Sequence, residues 1–320
     1  MTTFKEIRGT AVQSLSSDPT NPEAGQLWYN NSIGVLKGYA LAAAAWAAGG
    51  NMGTARNGLA GCGTQTAGLA FGGTTGSLST ATEEYDGSAW AGGGNLGTAR
   101  RLLAGAGIQT AGLAIGGFPS TGNTNITEEY DGSAWTAGGN LGTARRYLAG
   151  AGTQTAGLAF GGYTTTNVAS TEEYDGSAWT AGGDLGTARR ELAGAGTQTA
   201  GLAFGGFSTA RTSATEEYDG SAWTAGGNLN TTRNALAGAG TQTVGLAFGG
   251  YTTAVSNATE EYNGSAWTAG GNLGTARSDL AGAGTQTAGL AFGGYNGTDN
   301  SAATEEYSGA ALAVKTVTTS

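Results

Sequence analysis

The chain has 320 residues, of which 62 are glycine, one is cysteine and none is histidine, and its formal net charge is −9. A single cysteine excludes an internal disulfide framework, and the lack of histidine removes the commonest metal ligand and general base. The acidic balance argues against nucleic-acid binding, because affinity for phosphates comes mainly from lysine and arginine.

Residues 1–44 come first and do not match the rest of the chain. A Ser/Asp/Asn-rich linker contains Pro19 and Pro22, and a hairpin is predicted from Gly25 to Tyr39 with its turn at residues 30–34. The first residues lack the apolar core of a secretion signal, so export is not expected. No apolar run in the chain approaches the roughly 20 residues that span a bilayer, so membrane insertion is not expected either.

The hairpin sequence reads Gly-Gln-Leu-Trp-Tyr-Asn from Gly25, Leu-Lys-Gly-Tyr from Leu36 and Ala-Trp from Ala45. This order resembles a short hairpin that recurs in bacteriophage tail-fibre and other virion appendage proteins. The resemblance covers about 20 residues and implies that residues 1–44 attach the protein to other virion proteins. An ordinary hairpin that caps the following domain is the alternative.

From residue 45 onward, a unit of 44 or 45 residues recurs six times. Its best-preserved part reads Arg-x-x-Leu-Ala-Gly-Ala-Gly-Thr-Gln-Thr-Ala-Gly-Leu-Ala-Phe-Gly-Gly, then a variable stretch, then Thr-Glu-Glu-Tyr-Asp-Gly-Ser-Ala-Trp. The glycine pair begins at Gly72, Gly116, Gly161, Gly205, Gly249 and Gly293. A period of this length indicates repeated supersecondary units that bury their apolar faces against each other.

Each unit is predicted to form four short strands, a to d, separated by turn residues such as Asp175-Gly176. In the third complete unit these strands are 148–154, 155–161, 171–174 and 178–181. Leu158 and Phe160 are expected on one side of strand b, with Ala159 on the other. Stacking such blades in a ring is the β-propeller arrangement, with Leu-Ala-Gly-Ala-Gly as the innermost strand.

The order of arginine, small-residue strand, Leu-Ala-Phe-Gly-Gly, Glu-Glu-Tyr-Asp-Gly and tryptophan resembles the kelch repeat over about residues 45–312. The resemblance implies an all-β propeller of six four-stranded blades and is silent on function. Kelch-like oxidases hold copper with histidine and tyrosine. This chain has no histidine, so that activity does not carry over and no cofactor is predicted.

Ring closure is predicted from the two ends of the repeats. Residues 45–50 form a stray strand d that can complete the last blade, which leaves 313–320 as a C-terminal strand or tail beyond the propeller at 45–312. The alternative is a seventh blade built from residues 26–50 and the C-terminus.

The copies differ in two places, the b–c loop after the glycine pair and the two residues after the repeated arginine. In an up-and-down blade these b–c and d–a connections emerge on one face. The opposite face, with Thr-Gln-Thr and Asp-Gly-Ser-Ala turns, is nearly constant, and this asymmetry favours a recognition surface over simple drift. The ligand-binding residues predicted on this basis are Phe118, Tyr163, Phe207, Tyr251, Tyr295, Arg101, Tyr147, Arg190, Arg211 and Asn257. Packing between blades is the alternative role of the aromatic residues.

The repeated arginine is predicted to form a structural salt bridge with the repeat's glutamates. The glutamate rows around Glu83 and Glu84 also allow paired acid–base chemistry, as in glycoside hydrolysis. A structural role is favoured because neighbours on a strand face opposite sides.

These observations favour a non-enzymatic virion appendage of the tail-fibre or receptor-binding type, made in the host cytoplasm and displayed on the virion. Its partners would be virion proteins, through residues 1–44, and a host-surface glycan or protein. A purely structural decoration or tail-accessory protein is the second hypothesis and a polysaccharide-cleaving enzyme the third. Homo-oligomerisation is left open.

Overall fold

The computed structural model describes residues 12–317 and contains two compact units. The smaller unit consists of two segments, one that ends at Ala44 and one that begins at Ala310. The larger unit is Ala45–Gly309. The described residues are all-β, without a helix. Residues 1–11 of the predicted attachment segment and residues 318–320 of the predicted C-terminal strand or tail lie outside the described residues.

The strands are numbered in chain order. Their bounds are β1 Gln13–Leu15, β2 Leu27–Asn30, β3 Val35–Ala42, β4 Ala45–Ala48, β5 Ala60–Thr64, β6 Ala67–Phe71, β7 Thr82–Tyr85, β8 Trp90–Gly92, β9 Ala104–Ile108, β10 Ala111–Ile115, β11 Thr127–Tyr130, β12 Trp135–Ala137, β13 Ala149–Gly152, β14 Gly157–Phe160, β15 Thr171–Tyr174, β16 Trp179–Ala181, β17 Ala193–Thr197, β18 Ala200–Phe204, β19 Thr215–Tyr218, β20 Trp223–Ala225, β21 Ala237–Gly240, β22 Gly245–Phe248, β23 Thr259–Tyr262, β24 Trp267–Ala269, β25 Ala281–Gly284, β26 Ala288–Phe292, β27 Thr304–Ser308 and β28 Ala311–Thr316.

The smaller unit is one mixed sheet in the order β1-β2-β3-β28. Strands β2 and β3 form the predicted hairpin, with Asn30 opposite Val35. Trp28 is fully buried, and its indole nitrogen donates to Asp18, which also pairs with Lys37 at 2.6 Å. The last residues form strand β28 against β3. This unit takes up the chain at Ala310, before the predicted boundary at 312.

The larger unit contains six four-stranded antiparallel sheets, one per repeat, consistent with a propeller-like repeat. In the third repeat the strands are β13 to β16, and each lies inside its predicted range. Strand β4 pairs with β27, with Trp46 opposite Tyr307, so residues 45–48 complete the last sheet as predicted. Strands β2 and β3 form a seventh sheet with β1 and the C-terminal strand β28, as the alternative of a seventh blade required, but residues 45–48 are not part of that sheet.

The small residues of the first strands are required by close contact between sheets. A Cβ on Gly150 would lie 2.7 Å from the carbonyl oxygen of Gly105, in the preceding sheet, and one on Gly194 would lie 2.8 Å from that of Gly150. Each first strand contacts the first strand of the next repeat, and β25 contacts β5. Together the six strands line a pocket of about 200 Å³.

The core lies between successive sheets. Leu158 and Phe160 pack against the next sheet, where the Trp223 ring centre is 4.8 Å from that of Phe160. Ala159 packs on the opposite side, in the cluster shared with the preceding sheet. The predicted alternation of strand b is therefore confirmed.

Candidate functional site

The two variable parts of each repeat lie side by side. The residue after the repeated arginine forms a β-bridge with the first residue after the glycine pair, in the pairs Asn57–Thr74, Arg101–Phe118, Arg146–Tyr163, Arg190–Phe207, Asn234–Tyr251 and Ser278–Tyr295. The prediction that both variable parts share one side of the larger unit is confirmed. We call this the variable side.

The opposite side, called the constant side, consists of the Thr-Gln-Thr and Asp-Gly-Ser-Ala turns. Gln198 donates from its side-chain nitrogen to the carbonyl oxygens of Gly157 at 3.0 Å and Tyr174 at 2.7 Å, both in the preceding sheet. Asp175 accepts hydrogen bonds from the backbone nitrogens of Ser177 and Ala178. The constancy of these turns thus has a structural cause, and the contrast between the two sides is weaker support for recognition than the sequence alone indicated.

A ring of backbone hydrogen bonds joins the repeats on the variable side. The second residue after each repeated arginine donates its N–H to the carbonyl of its counterpart in the preceding repeat, and Gly58 donates to Asp279 at 2.9 Å. The members are Gly58, Leu102, Tyr147, Glu191, Ala235 and Asp279. All have φ between 50° and 58°, a strained region for residues other than glycine. The predicted ligand residue Tyr147 is thus held in this ring.

The ring surrounds a pocket of about 80 Å³ that the sequence analysis did not predict. Burial raises the pKa of Asp279 to about 6, and the negative charge of Glu191 adds to the shift. The type of residue at this position varies from glycine to tyrosine, so no composition signal marked it. The one sequence feature that could have indicated this pocket is that its ring residues all lie two positions after the repeated arginine.

Arginines and aromatic rings alternate along part of the variable side. The guanidinium carbon of Arg146 lies 4.7 Å from the ring centre of Phe118 and 5.0 Å from that of Tyr163. That of Arg190 lies 5.2 Å from Tyr163 and 4.7 Å from Phe207. Such cation–π contacts each stabilise by about 0.5–1 kcal/mol when exposed.

The remaining predicted ligand residues lie outside this alternating row. Arg211 stacks on Tyr251 at 4.7 Å, and no arginine of the described chain stacks on Tyr295. Asn257 is exposed, and its amide donates to the carbonyl of Leu273 at 3.2 Å, apart from the stacks. The five aromatic residues are partly buried and do not belong to the core clusters between sheets.

The glutamate rows have structural partners. Arg145 is fully buried and pairs with Glu172 at 3.1 Å, and the equivalent pair recurs in every repeat, which confirms the predicted salt bridge. The second glutamate accepts from a tyrosine of the next sheet, as Glu173 does from Tyr218 at 2.6 Å. Both carboxylates of the pattern are thus engaged, which leaves the hydrolase alternative without an unpartnered acid–base pair in these rows.

Residues 12–317 contain no group of three or more cysteine, aspartate or glutamate side chains arranged to hold a metal ion. Within the same residues, no helix is long and apolar enough to cross a membrane. Comparison of the chain with protein-family models finds no match, and a search of curated proteins also finds none.

Proposed function

We propose that the six sheets of the larger unit are the blades of a closed six-bladed propeller. The contacts that join each sheet to the next also join the sixth to the first. Gln65 donates to the Tyr307 carbonyl at 2.7 Å, as Gln198 does to that of Tyr174. The Tyr85 hydroxyl donates to Glu306 at 2.6 Å, and the bond from Gly58 to Asp279 completes the backbone ring.

We further propose that the protein is a non-enzymatic bacteriophage virion appendage that recognises a host-surface glycan or protein through its variable side. The observation that carries this proposal is the alternating row of partly exposed aromatic rings and arginines, formed by residues that differ between repeats. Aromatic and arginine side chains dominate binding surfaces. The resemblance of the hairpin at residues 25–39 to virion appendage proteins supports the proposed location on the virion.

A structural virion component is a second candidate, because some variable residues join neighbouring blades. Asn167 donates to the carbonyls of Phe207 at 3.1 Å and Ser208 at 2.7 Å, both in the next repeat. A decoration or tail-accessory protein would need this rigidity without needing a ligand.

Binding of the purified full chain to a panel of bacterial cells tests the proposal. The variant replaces three exposed loop tips, 165–166, 209–210 and 253–254, with Gly-Ser and leaves the bridging residues unchanged. The control variant changes the exposed Thr155, Thr199 and Thr243 of the constant side to serine.

We expect the tip variant to lose cell binding and the control to keep it. Equal binding by both variants would contradict recognition through these loops. Assembly defects in the tip variant with unchanged binding would support the structural candidate. Release of soluble sugar from host polysaccharide would support the hydrolase hypothesis.

A further inference from the structure

A repeated junction links neighbouring blades on the variable side. In two copies, an asparagine from one b–c loop accepts from the arginine of the next repeat. Arg146 donates to Asn123 at 3.0 Å, and Arg190 donates to Asn167 at 2.9 Å. In the next junction the residue types are exchanged, and Arg211 of the loop donates to Asn234 at 3.0 Å. These three guanidinium groups therefore use part of their donor capacity within the protein.

The junction between the first and second blades lacks this partner. Leu78 forms the β-bridge with Thr74 that Asn167 forms with Tyr163, so a leucine stands where the other copy has asparagine. A leucine side chain cannot accept a hydrogen bond. Accordingly, Arg101 makes neither a salt bridge nor a side-chain hydrogen bond within residues 12–317, and its buried Nε has no partner.

Arg101 lies beside a cavity of suitable size and chemistry for a sugar. The cavity has a volume of about 600 Å³ and is lined by Arg101, Phe118 and Leu78 together with the hydroxyl-bearing Thr74, Ser77 and Ser120. The guanidinium carbon is 5.9 Å from the centre of the Phe118 ring. Arg146 also stacks on Phe118, at 4.7 Å, so the ring contributes an apolar wall rather than a free face. Several hydroxyls and an unpaired guanidinium beside this apolar wall are complementary to a sugar that carries an oxyanion.

The variable side carries a concentration of arginines although the whole chain has a net charge of −9. Every repeat buries one arginine against a glutamate. The arginines of Ala45–Gly309 that remain are Arg101, Arg146, Arg190 and Arg211, all in the variable parts of the second to fourth repeats. Asp86, Asp131, Asp175 and Asp219 occupy constant-side turns. Glu191 and Asp279 lie on the variable side, where Glu191 pairs with Arg190 at 3.1 Å and the charge of Arg101 opposes the rise in the pKa of Asp279.

We propose that the cavity at Arg101 and Phe118 binds the oxyanion, carboxylate or phosphate, of an acidic saccharide. The guanidinium would hold the oxyanion through two N–H donors, which is the geometry that arginine favours. This inference rests on the proposed function for its setting, a host-surface polysaccharide, and on the unpaired Arg101 for its chemistry.

Calorimetric titration of the full chain tests the inference, with an oligogalacturonate as carboxylate probe, its methyl ester as neutral probe and mannose 6-phosphate as phosphate probe. We expect saturable binding of an anionic probe that weakens with added salt, and at least about tenfold weaker binding of the neutral ester. The probe that binds more tightly shows whether the site prefers a carboxylate or a phosphate.

Two variants and a matched control locate the site. Arg101→Gln should weaken binding about tenfold or more. Leu78→Asn should weaken binding several-fold, because the new amide oxygen would accept a hydrogen bond from the Arg101 guanidinium and compete with the oxyanion. Arg211→Gln makes the same change in net charge at an arginine that already has a partner, and should change affinity less than about twofold. Because Leu78→Asn restores the hydrogen bond of the other junctions, it should stay folded even if Arg101→Gln does not.

The absence of saturable anion binding, or equal losses in Arg101→Gln and Arg211→Gln, would overturn the inference. Cell binding that depends on the loop tips but not on Arg101 or Leu78 would overturn it while leaving the proposed function standing. Oxyanion binding that needs Arg101, in a protein that binds no host cell, would support the site and contradict host recognition.

Discussion

Replacement of Arg145 by methionine tests how much one buried arginine contributes to the stability of the repeat. The Arg145 side chain has no exposed surface. Its Nη1 donates to the carbonyls of Gly161 at 3.0 Å and Ser170 at 2.6 Å, and its Nη2 donates to Glu172 at 3.1 Å. Burial lowers the pKa of the guanidinium, and the Glu172 carboxylate opposes that shift.

The expected loss in the free energy of unfolding follows from the state of Glu172 after the substitution. Among residues 12–317, Glu172 would keep only its bond from the backbone nitrogen of Gly142, at 2.6 Å, and would remain a buried charge without a counter-ion there. Removal of one member of a buried ion pair costs about 3–5 kcal/mol. Since folded domains are stable by about 5–15 kcal/mol, Arg145→Met should remove a large part of the total.

Urea denaturation followed by tryptophan fluorescence measures the effect, with Arg146→Met as the matched control. Arg146 is the next residue and is partly exposed. It stacks on two aromatic rings and has one side-chain hydrogen bond, so its loss should cost about 1–3 kcal/mol, less than the loss of Arg145. Glu172→Gln combined with Arg145→Met should cost less than the sum of the single changes, because the pair is then removed together. Additive costs, or less than about 1 kcal/mol for Arg145→Met, would refute the reasoning.

Two further predictions concern contacts between neighbouring sheets. Gln198→Leu should destabilise the protein by about 1–3 kcal/mol in urea denaturation, because two carbonyls of the preceding sheet lose their donor, whereas exposed Thr199→Ser should have little effect. Burial and the hydrogen bond to Glu129 raise the pKa of Tyr174 to about 12, as at four equivalent tyrosines. Because this pKa exceeds the unfolded value of about 10, the stabilisation is complete below pH 10 and is lost as pH rises toward 12, so urea midpoints should fall over this range. Tyr174→Phe should make that fall shallower, and an unchanged slope would contradict the assignment.

Much of the local structure could be predicted because its causes are local. Turn residues such as Asp175-Gly176 and the alternation at Leu158 and Phe160 determined the strands, and four strands of the third repeat lie where they were expected. The repeated arginine and glutamate also indicated their pairing, since a recurring charge in an apolar unit needs a counter-ion. The ring of left-handed residues that includes Tyr147 was not predicted, because it depends on backbone groups of different repeats.

The sequence by itself determined the repeat period, the strands of each unit and the side on which its copies differ. Only the tertiary structure decided which of the variable arginines are engaged. Arg146 and Arg101 occupy equivalent positions, yet the first is bound by Asn123 and the second faces Leu78 of the preceding repeat. The partner of each arginine comes from a loop about 23 residues earlier in the chain, so the packing of neighbouring sheets determines whether a guanidinium is free for a ligand.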